Sequence, residues 1–487
     1  MKDIVAGSFG GAGGSDLAVL ATDPIGDVDV EVLRNGGHGN FTPQPPVSVP
    51  AVTAGNGIGI PVPNLVAGHF TSGSYDDLAV AGQGSSGAVV VVQLILKQPD
   101  GSFQAGGSFA LSDATALSDA TEEGLVAAPL TGHSLDAGGQ PLDDLAVFSY
   151  LDQYVQVLQN DGGGNFETGT QVKLTLGPLG VVAGHFTSHG QVLDDLAVVE
   201  QSTLSEFTAS VVADVLTNDG SGCFRAGSPI ALDVAAEATY EPNIVVAADF
   251  NGDGLDDLAV AGQDISGKIR VDDLVNEGGG VFQAATPVAP GDLSLGPISL
   301  FAGNLTGTVG GRVDLAALGW DSAGNSVVEV FTGLGDGAFA ASTAGPPALL
   351  PNDLYTIPSG TAMAVSGHFT ADGRLGVVVP VTTLMGDNRL EVLLDDGDGT
   401  FRAAPAIDLG SNLTPIAIAV GNFNGDGFDD LAVAANLYGY DVVEIFLSNG
   451  DGTFTAETQV VLNDFFSVND IGSGVNDIVS GNFETPH

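Results

Sequence analysis

The chain is poor in several residue types that stabilise or target other proteins. It has a single cysteine, Cys223, among 487 residues, so it cannot form an intrachain disulfide. Lysine and arginine number only 11 against 60 aspartate and glutamate residues, which leaves a net charge of −49. Because nucleic acids and anionic membranes attract basic surfaces, this charge argues against both as partners and favours cations.

Long hydrophobic runs are missing as well. The longest, Ala88 to Leu96, is interrupted by Gln93 and is too short to cross a bilayer, so we expect no membrane insertion. The first residues, Met1 to Phe9, already belong to a repeated strand and contain no basic and apolar leader. We therefore expect either that an export signal was removed or that this is a portion of a longer chain.

Sequence signatures of catalysis are absent. The chain contains no His-Glu-X-X-His, no Gly-X-Ser-X-Gly and no phosphate-binding loop. Paired carboxylates such as Asp256 and Asp257 recur, but adjacent residues of a strand point to opposite sides of the sheet, which argues against an acid/base pair. The sequence predicts that the protein is not an enzyme, with a catalytic site in a central channel as the less favoured alternative.

What the chain does have is a repeat of roughly 55 to 65 residues. Each copy starts with a short apolar strand that ends in Gly-X-Phe, as in Leu65 to Phe70, and continues through a loop into an Asp-Leu-Ala-Val strand. Short runs that are apolar on both faces and bounded by Gly and Asp are typical of buried strands. The aspartates that open these second strands are Asp16, Asp77, Asp144, Asp195, Asp257, Asp430 and, in a variant copy, Asp314.

A Gly-rich hairpin then joins a third strand to a fourth. Its Asn-Gly and Asp-Gly steps suit the positive φ of tight turns. A phenylalanine leaves the hairpin in eight places: Phe41, Phe103, Phe166, Phe224, Phe282, Phe339, Phe401 and Phe454. Because a four-stranded unit is too small to bury its own faces, such units usually pack radially.

We therefore predict an all-β fold, a β-propeller of four-stranded antiparallel blades. The hairpins favour eight blades, with seven as the alternative if one degenerate unit lies outside the ring. Residues 1–474 are predicted to form this single propeller, and residues 475–487 to be the first strand of a ninth repeat.

Two of the loops have the pattern of a calcium site. Side-chain oxygens at alternating positions, a backbone carbonyl and a closing carboxylate suit a hard cation with a flexible shell of six to eight oxygens, which is Ca²⁺ rather than Mg²⁺. The first predicted set of ligands is Asp249, Asn251, Asp253, the carbonyl of Leu255, and Asp257. The second is Asn422, Asn424, Asp426, the carbonyl of Phe428, and Asp430. The second set has two carboxylates against three, so we expect it to bind more weakly.

The other loops depart from this pattern. They lack most of the ligand positions, and we expect their shared aspartate to accept backbone N–H bonds instead. Three histidines recur in these loops, His69, His185 and His368, but they belong to separate repeats, so no zinc site is predicted.

Asp249-Phe-Asn-Gly-Asp-Gly-Leu-Asp-Asp-Leu-Ala-Val and its copy from Asn422 resemble the FG-GAP or VCBS repeats of integrin α-subunit propellers and of bacterial secreted proteins. The resemblance extends along essentially the whole chain. It implies a calcium-stabilised propeller, extracellular or at the cell surface, that serves adhesion, recognition or assembly. It does not imply one ligand.

The end of the chain copies its beginning. Asp477, Ile478 and Val479 repeat the strand that starts at Asp3, Ile4 and Val5. A surplus strand can pair with the edge of a neighbouring propeller domain or of another copy of the chain, and such a head-to-tail contact builds a filament. A longer repeat array is the alternative explanation.

A recognition module for a glycan or protein ligand is the competing function. Trp320, the only tryptophan of the chain, would favour sugar binding if it lay on an open face.

Overall fold

The structure, a computed structural model, consists of strands and turns. It describes residues 2–10, 14–22, 27–53, 64–84, 90–111, 123–149, 153–187, 193–201, 209–236, 244–263, 269–285, 287–288, 293, 295–306, 312–321, 326–341, 348–349, 364–383, 385–438, 440–457 and 459–466. No helix occurs among these residues, and so none that could cross a bilayer. The predicted all-β class is confirmed.

The described strands form eight consecutive units, which we number 1 to 8, each with strands A, B, C and D in antiparallel order. The A strands are Asp3–Gly7, Asn64–Gly68, Glu123–Ala128, Gly177–Gly184, Ile244–Ala248, Leu295–Gly303, Val365–Gly367 and Leu413–Gly421. The B strands are Asp16–Thr22, Asp77–Gly84, Asp144–Ser149, Asp195–Gln201, Asp257–Gln263, Asp314–Trp320, Gly376–Thr382 and Asp430–Leu437.

The C and D strands flank the hairpin. The C strands are Asp27–Asn35, Val90–Lys97, Tyr154–Asn160, Ala209–Asn218, Ile269–Asn276, Ser326–Gly333, Asn388–Asp395 and Tyr440–Ser448. The D strands are Phe41–Pro43 with Val47–Thr53, Phe103–Ala110, Phe166–Lys173, Phe224–Ala226 with Ile230–Ala236, Phe282–Ala284, Phe339–Ala341 with Ala348–Leu349, Phe401–Ala403 with Ile407–Gly410, and Phe454–Ala456 with Val460–Phe466. Every hairpin phenylalanine predicted from the sequence opens a D strand.

Strand B is the buried centre of each unit. In unit 1 it pairs with strand A from Gly7↔Asp16 to Asp3↔Leu20, and on its other side with strand C. Leu17, Ala18 and Val19 are fully buried because both faces of the strand are covered by neighbouring units. This explains why the Asp-Leu-Ala-Val sequence is apolar at consecutive positions.

The space between consecutive units, which we call a seam, is filled by side chains. Each buried hydrophobic cluster contains residues of two successive units. At six seams a phenylalanine after strand A meets the hairpin phenylalanine of the next unit edge to face, with ring centroids 5.0 to 5.8 Å apart. Leu130 and Leu305 take its place at the seams of units 3–4 and 6–7.

The last unit packs against the first. Strand A of unit 8 lies beside strand A of unit 1, and Phe423 of unit 8 meets Phe41 of unit 1 at 5.5 Å. A radial array that closes on itself removes the exposed faces that an open stack would leave at its ends. The described units thus have the arrangement predicted for a propeller, while the number of blades and the boundary at residue 474 stay predictions.

The strand predicted for assembly at the start of the chain lies inside the fold. Asp3, Ile4 and Val5 belong to strand A of unit 1, where they pair with Leu20, Val19 and Ala18. Their predicted partners Asp477, Ile478 and Val479 lie outside the described residues.

We predict that Phe70→Ala destabilises the protein strongly. Phe70 is fully buried and packs against Phe166 of the next unit. Loss of a buried phenylalanine side chain costs about 3–5 kcal/mol through lost burial and the cavity left behind. Urea unfolding should show this loss, whereas Leu135→Ala, at a side chain that is 54% exposed, should leave the midpoint nearly unchanged. Equal effects of the two substitutions would contradict a core that lies between units.

Candidate calcium loops and the seams between units

The aspartate that opens strand B holds its own unit together. In seven units its Oδ1 accepts the backbone N–H at the end of strand C, at 2.6 to 2.8 Å. These aspartates are fully buried or nearly so: Asp16, Asp77, Asp144, Asp195, Asp257, Asp314 and Asp430. The predicted acceptance of backbone N–H bonds is confirmed. In unit 7 Gly376 stands at this position.

The side chain at the end of strand C reaches the preceding unit. The Nδ2 of Asn160 donates to the carbonyl of Phe70 at 2.9 Å, and Asn276 donates to Phe186 at 2.9 Å. Asn35 closes the seam between units 8 and 1 by donating to the carbonyl of Phe423 at 2.7 Å. Asn218 and Ser448 do the same at their seams. Sequence reasoning treated these residues only as part of the turn, although their recurrence just before the hairpin glycines was the available signal.

The residue before the closing aspartate contacts the preceding unit too. The Oδ2 of Asp143 accepts the N–H of His69 at 2.8 Å, and Asp256 accepts that of His185 at 2.8 Å. The neighbouring Asp144 and Asp257 bond within their own units, as described above. The two members of each carboxylate pair therefore serve different contacts, which agrees with the interpretation that they are not acid/base pairs.

In unit 5 the loop of residues 249–257 brings three predicted ligands together. Asn251 Nδ2 lies 3.2 Å from Asp253 Oδ2 and 3.5 Å from Asp257 Oδ1, so one polarised N–H group already sits between two carboxylates. The carboxylate of Asp249 accepts loop N–H groups, from Gly252 at 2.6 Å and Gly254 at 2.9 Å.

The fifth predicted ligand of this loop is the carbonyl of Leu255. The structure shows the N–H of the same residue donating to Asp253 Oδ1 at 2.9 Å. The role of the carbonyl stays a prediction.

The loop of residues 422–430 in unit 8 has the same arrangement. Asn424 Nδ2 lies 2.8 Å from Asp426 Oδ2, and Asp430 Oδ2 accepts the N–H of Phe423 at 2.7 Å. Asn422 Oδ1 accepts the N–H of Gly425 at 2.8 Å. Phe428 donates its N–H to Asp426, and its ring lies over the hairpin at Gly450.

These sets of side chains suit a hard cation by their chemistry. They consist of carboxylate and amide oxygens alone, the ligands that Ca²⁺ takes in proteins. Within the described ranges, no group of three or more His, Cys, Asp or Glu side chains is arranged so that it could hold a metal. In loop 249–257 the reason is visible, because Asp249 is turned toward the loop amides. To bind calcium, the carboxylate of Asp249 would have to release loop N–H groups and contact the ion instead.

The loop of unit 7 carries a built-in positive charge instead. Asp372 accepts the hydroxyl of Thr370 at 2.5 Å and lies 3.6 Å from the guanidinium of Arg374. Arg374 also donates to the carbonyl of Asp396 at 2.6 Å. Arg374 occupies the place that Leu255 and Phe428 take in the two complete loops.

Burial raises the pKa of several carboxyl groups. Desolvation raises the pKa of Asp257 and of Asp430 to about 6, and the nearby carboxylates of Asp253 and Asp426 add to the rise. Desolvation together with the neighbouring Asp272 raises the pKa of Asp273 to about 8. Within the part of the chain that the structure describes, neither carboxylate oxygen of Asp273 has a hydrogen-bond partner, and the residue is only 1% exposed.

Trp320 and Cys223 are the two other residues that the sequence singled out. Trp320 is half-buried at the end of strand B of unit 6, where its backbone pairs with Ser326. Cys223 is an exposed free thiol in the hairpin of unit 4.

Comparison with known proteins supports the repeat assignment. A family model described as FG-GAP-like repeat matches residues 368–433, and one described as FG-GAP repeat matches residues 414–453. The chain therefore contains FG-GAP repeats in its C-terminal region, across units 7 and 8, and the predicted resemblance is confirmed there. None of the curated proteins matches the chain in sequence.

Solved structures that are similar to the chain have low identity. They include a protein from Lactobacillus plantarum, with a TM-score of 0.43 and 14% identity over 82% of this chain and 96% of that one. Another is the periplasmic gluconolactonase of Pseudomonas aeruginosa, with a TM-score of 0.41 and 16% identity over 84% of this chain and 96% of that one. A third is the fucose-specific lectin from Aleuria aurantia, with a TM-score of 0.35 and 13% identity over 82% of this chain and 96% of that one.

We predict that Asp273→Asn stabilises the protein at pH 8. The folded chain keeps the proton of Asp273 up to about pH 8, whereas an unfolded aspartate loses it near pH 4, so folding becomes less favourable as the pH rises between these values. Thermal unfolding midpoints between pH 5 and 8.5 should show a gain for the variant that grows with pH. Glu277→Gln, at an exposed carboxylate, should show no such trend. A gain that does not change with pH would contradict the assignment.

Proposed function

We propose that this protein is a calcium-binding β-propeller that acts outside the cell as a structural or adhesive module. The observation that supports it is the pair of loops, 249–257 and 422–430, whose carboxylate and amide groups converge beside a seam. The absence of a catalytic motif from the sequence and the FG-GAP repeats of units 7 and 8 agree with a module that is not an enzyme.

In the first loop Asp253 and Asp257 would bind the ion, with Asn251 and Asp249 as the further side-chain ligands. In the second loop Asp426 and Asp430 would do so, with Asn424 and Asn422. A bound Ca²⁺ supplies two positive charges where burial and like charge now raise the pKa of the closing aspartates. Extracellular fluids hold calcium at concentrations that suit such open loop sites.

We predict that the protein binds two calcium ions and that they stabilise it. Calorimetric titration should give two sites, the one that contains Asn422 being the weaker. At a hundredfold excess of calcium over Kd each site adds about 2.7 kcal/mol to the free energy of unfolding. Asp253→Ala and Asp426→Ala should each remove one site.

These positions are chosen because Asp257 and Asp430 also hold strand C, so their loss would disturb folding without calcium. Asp398→Ala, in an exposed hairpin, is the matched control and should keep both sites. A titration without heat, together with an unchanged melting temperature in calcium, would refute calcium binding.

Self-assembly through the ends of the chain is the second part of the proposal. The eight described A positions are filled by strands of this chain, the first of them by Asp3–Gly7, so a further copy of that sequence has no place in these units. Light scattering should therefore detect assemblies that Ile478→Asp with Val479→Asp dissolves. A wild-type chain that is monomeric with calcium and with chelator would refute strand donation.

A further inference from the structure

The seams between units fall into chemical classes that the sequence of each seam defines. We call the residue directly after strand A, which precedes the buried Phe or Leu, the seam residue. The residue directly before strand B of the next unit is its facing residue. In units 1 to 8 the seam residues are Ser8, His69, Pro129, His185, Asp249, Asn304, His368 and Asn422. Their facing residues, in the same order, are Asp76, Asp143, Asp194, Asp256, Val313, Leu375, Asp429 and Ser15.

The two sets complement each other at every seam. An aspartate faces each seam residue that is neither Asp nor Asn, and a residue without a carboxylate faces each seam residue that is Asp or Asn. The two complete calcium loops begin at Asp249 and Asn422, so both belong to the second group.

At four of the five seams in the first group the carboxylate of the facing aspartate accepts an N–H group of the preceding unit. The N–H of Ser8 donates to Asp76 Oδ2 at 2.7 Å, and the N–H of His368 donates to Asp429 Oδ2 at 2.7 Å. A backbone bond runs in the opposite direction, from Asp76 N to the carbonyl of Ser8 at 2.9 Å. Hydrogen bonds to a charged acceptor are the stronger kind, so each such carboxylate is a substantial contact.

The histidines strengthen the same contact. His368 Nδ1 lies 3.6 Å from Asp429 Oδ2, and His185 Nδ1 lies 3.9 Å from Asp256 Oδ2. Pro129 has no N–H; the carboxylate of Asp194, which faces it, lies 3.4 Å from His185 Nε2 of its own unit, and the seam is bridged by the Asp194 N–H, which donates to the carbonyl of Pro129 at 3.0 Å. This gives the recurring Gly-His-Phe sequence a role as a partner of the facing aspartate.

The seam between units 8 and 1 keeps the backbone and asparagine bonds of the other seams but lacks the carboxylate contact. Ser15 has no carboxylate, and its N–H donates to the carbonyl of Asn422 at 3.3 Å. The Gly39 N–H and the Asn35 side chain donate to the carbonyl of Phe423, at 3.3 and 2.7 Å. The acceptors for unit 1 are therefore carbonyls of the calcium loop itself, and their positions depend on how firmly that loop is held.

An acidic facing residue would be unfavourable at the seam between units 5 and 6. There the seam residue Asp249 is itself a carboxylate, and an aspartate in the facing position would repel it. Val313 occupies the facing position and packs with the hydrophobic cluster of this seam. At the seam of units 6 and 7 the facing residue makes an apolar contact: Leu375 lies beside Gly303.

We propose that calcium takes the place of the missing aspartate at two seams. An ion in loop 249–257 fixes the loop from which Phe250 packs against Phe339 of unit 6. An ion in loop 422–430 fixes the carbonyls of Asn422 and Phe423 that accept N–H groups of unit 1. The second of these seams is the one at which the last unit meets the first, so calcium controls closure of the array. This inference rests on the proposed calcium binding.

Hydrogen exchange of the full chain, read by mass spectrometry with calcium and with chelator, tests the proposal. The reporters are the amides of Ser15 and Gly39, which lie in unit 1, outside the loop that binds the ion. Their exchange should rise by up to roughly tenfold in chelator, because a hydrogen bond to a poorly held acceptor opens more often. The amide of Asp143, at a seam with a facing aspartate, should not change.

Ser15→Asp supplies the missing carboxylate opposite the neutral Asn422. It should lower the exchange of Gly39 in chelator toward the level seen with calcium, whereas the matched variant Ser15→Asn should not. Calorimetry on the same samples separates two kinds of failure. If two ions bind but Ser15, Gly39 and Asp143 respond alike, the seam proposal is wrong and calcium binding stands. If no ion binds, the proposed function itself fails.

Discussion

The hydrogen bond between the buried aspartate that opens strand B and the amide that ends strand C is the constraint on which seven of the eight described units depend. It joins two strand ends that the hairpin would otherwise leave free, and it does so with a charged acceptor in a region from which water is excluded. Because this bond fixes the end of strand B, it also fixes the loop before it. The loop, the seam and the calcium donors are thus positioned by one buried contact, repeated along the chain.

Contacts between units build on that fixed end. The asparagine that ends strand C has its backbone tied to the aspartate of its own unit, so its side chain is aimed at the carbonyl of the preceding unit. The edge-to-face phenylalanine pair lies at the same end of the seam. Polar and aromatic contacts therefore occur together at this end of the seam. Individual seams can differ in their residues as long as some contact joins the two units there.

The sequence was sufficient to predict strands but not their partners across seams. Asp-Leu-Ala-Val strands and hairpin phenylalanines could be placed because their signals are local in sequence. The bond from Asn35 to the carbonyl of Phe423 joins residues 388 positions apart, and the recurrence of a polar residue before the hairpin glycines does not identify that partner. The calcium loops were predicted as sets of five ligands, and the structure gathers Asn251, Asp253 and Asp257 while Asp249 bonds to the loop amides. Which oxygens converge depends on where strand C ends, and ligand spacing alone does not contain that information.

The net charge of −49 has a different meaning once the acidic residues are placed. Read from composition, it describes a surface that attracts cations. In the structure many carboxylates are internal: those that open strand B accept backbone N–H groups, and others such as Asp214 and Asp273 are buried within strands C. Such groups contribute little to a field that acts at a distance, yet each makes folding more sensitive to protons and to bound metal. Part of the acidic composition therefore belongs to the contacts that hold the units together, and only the remainder describes what the surface attracts.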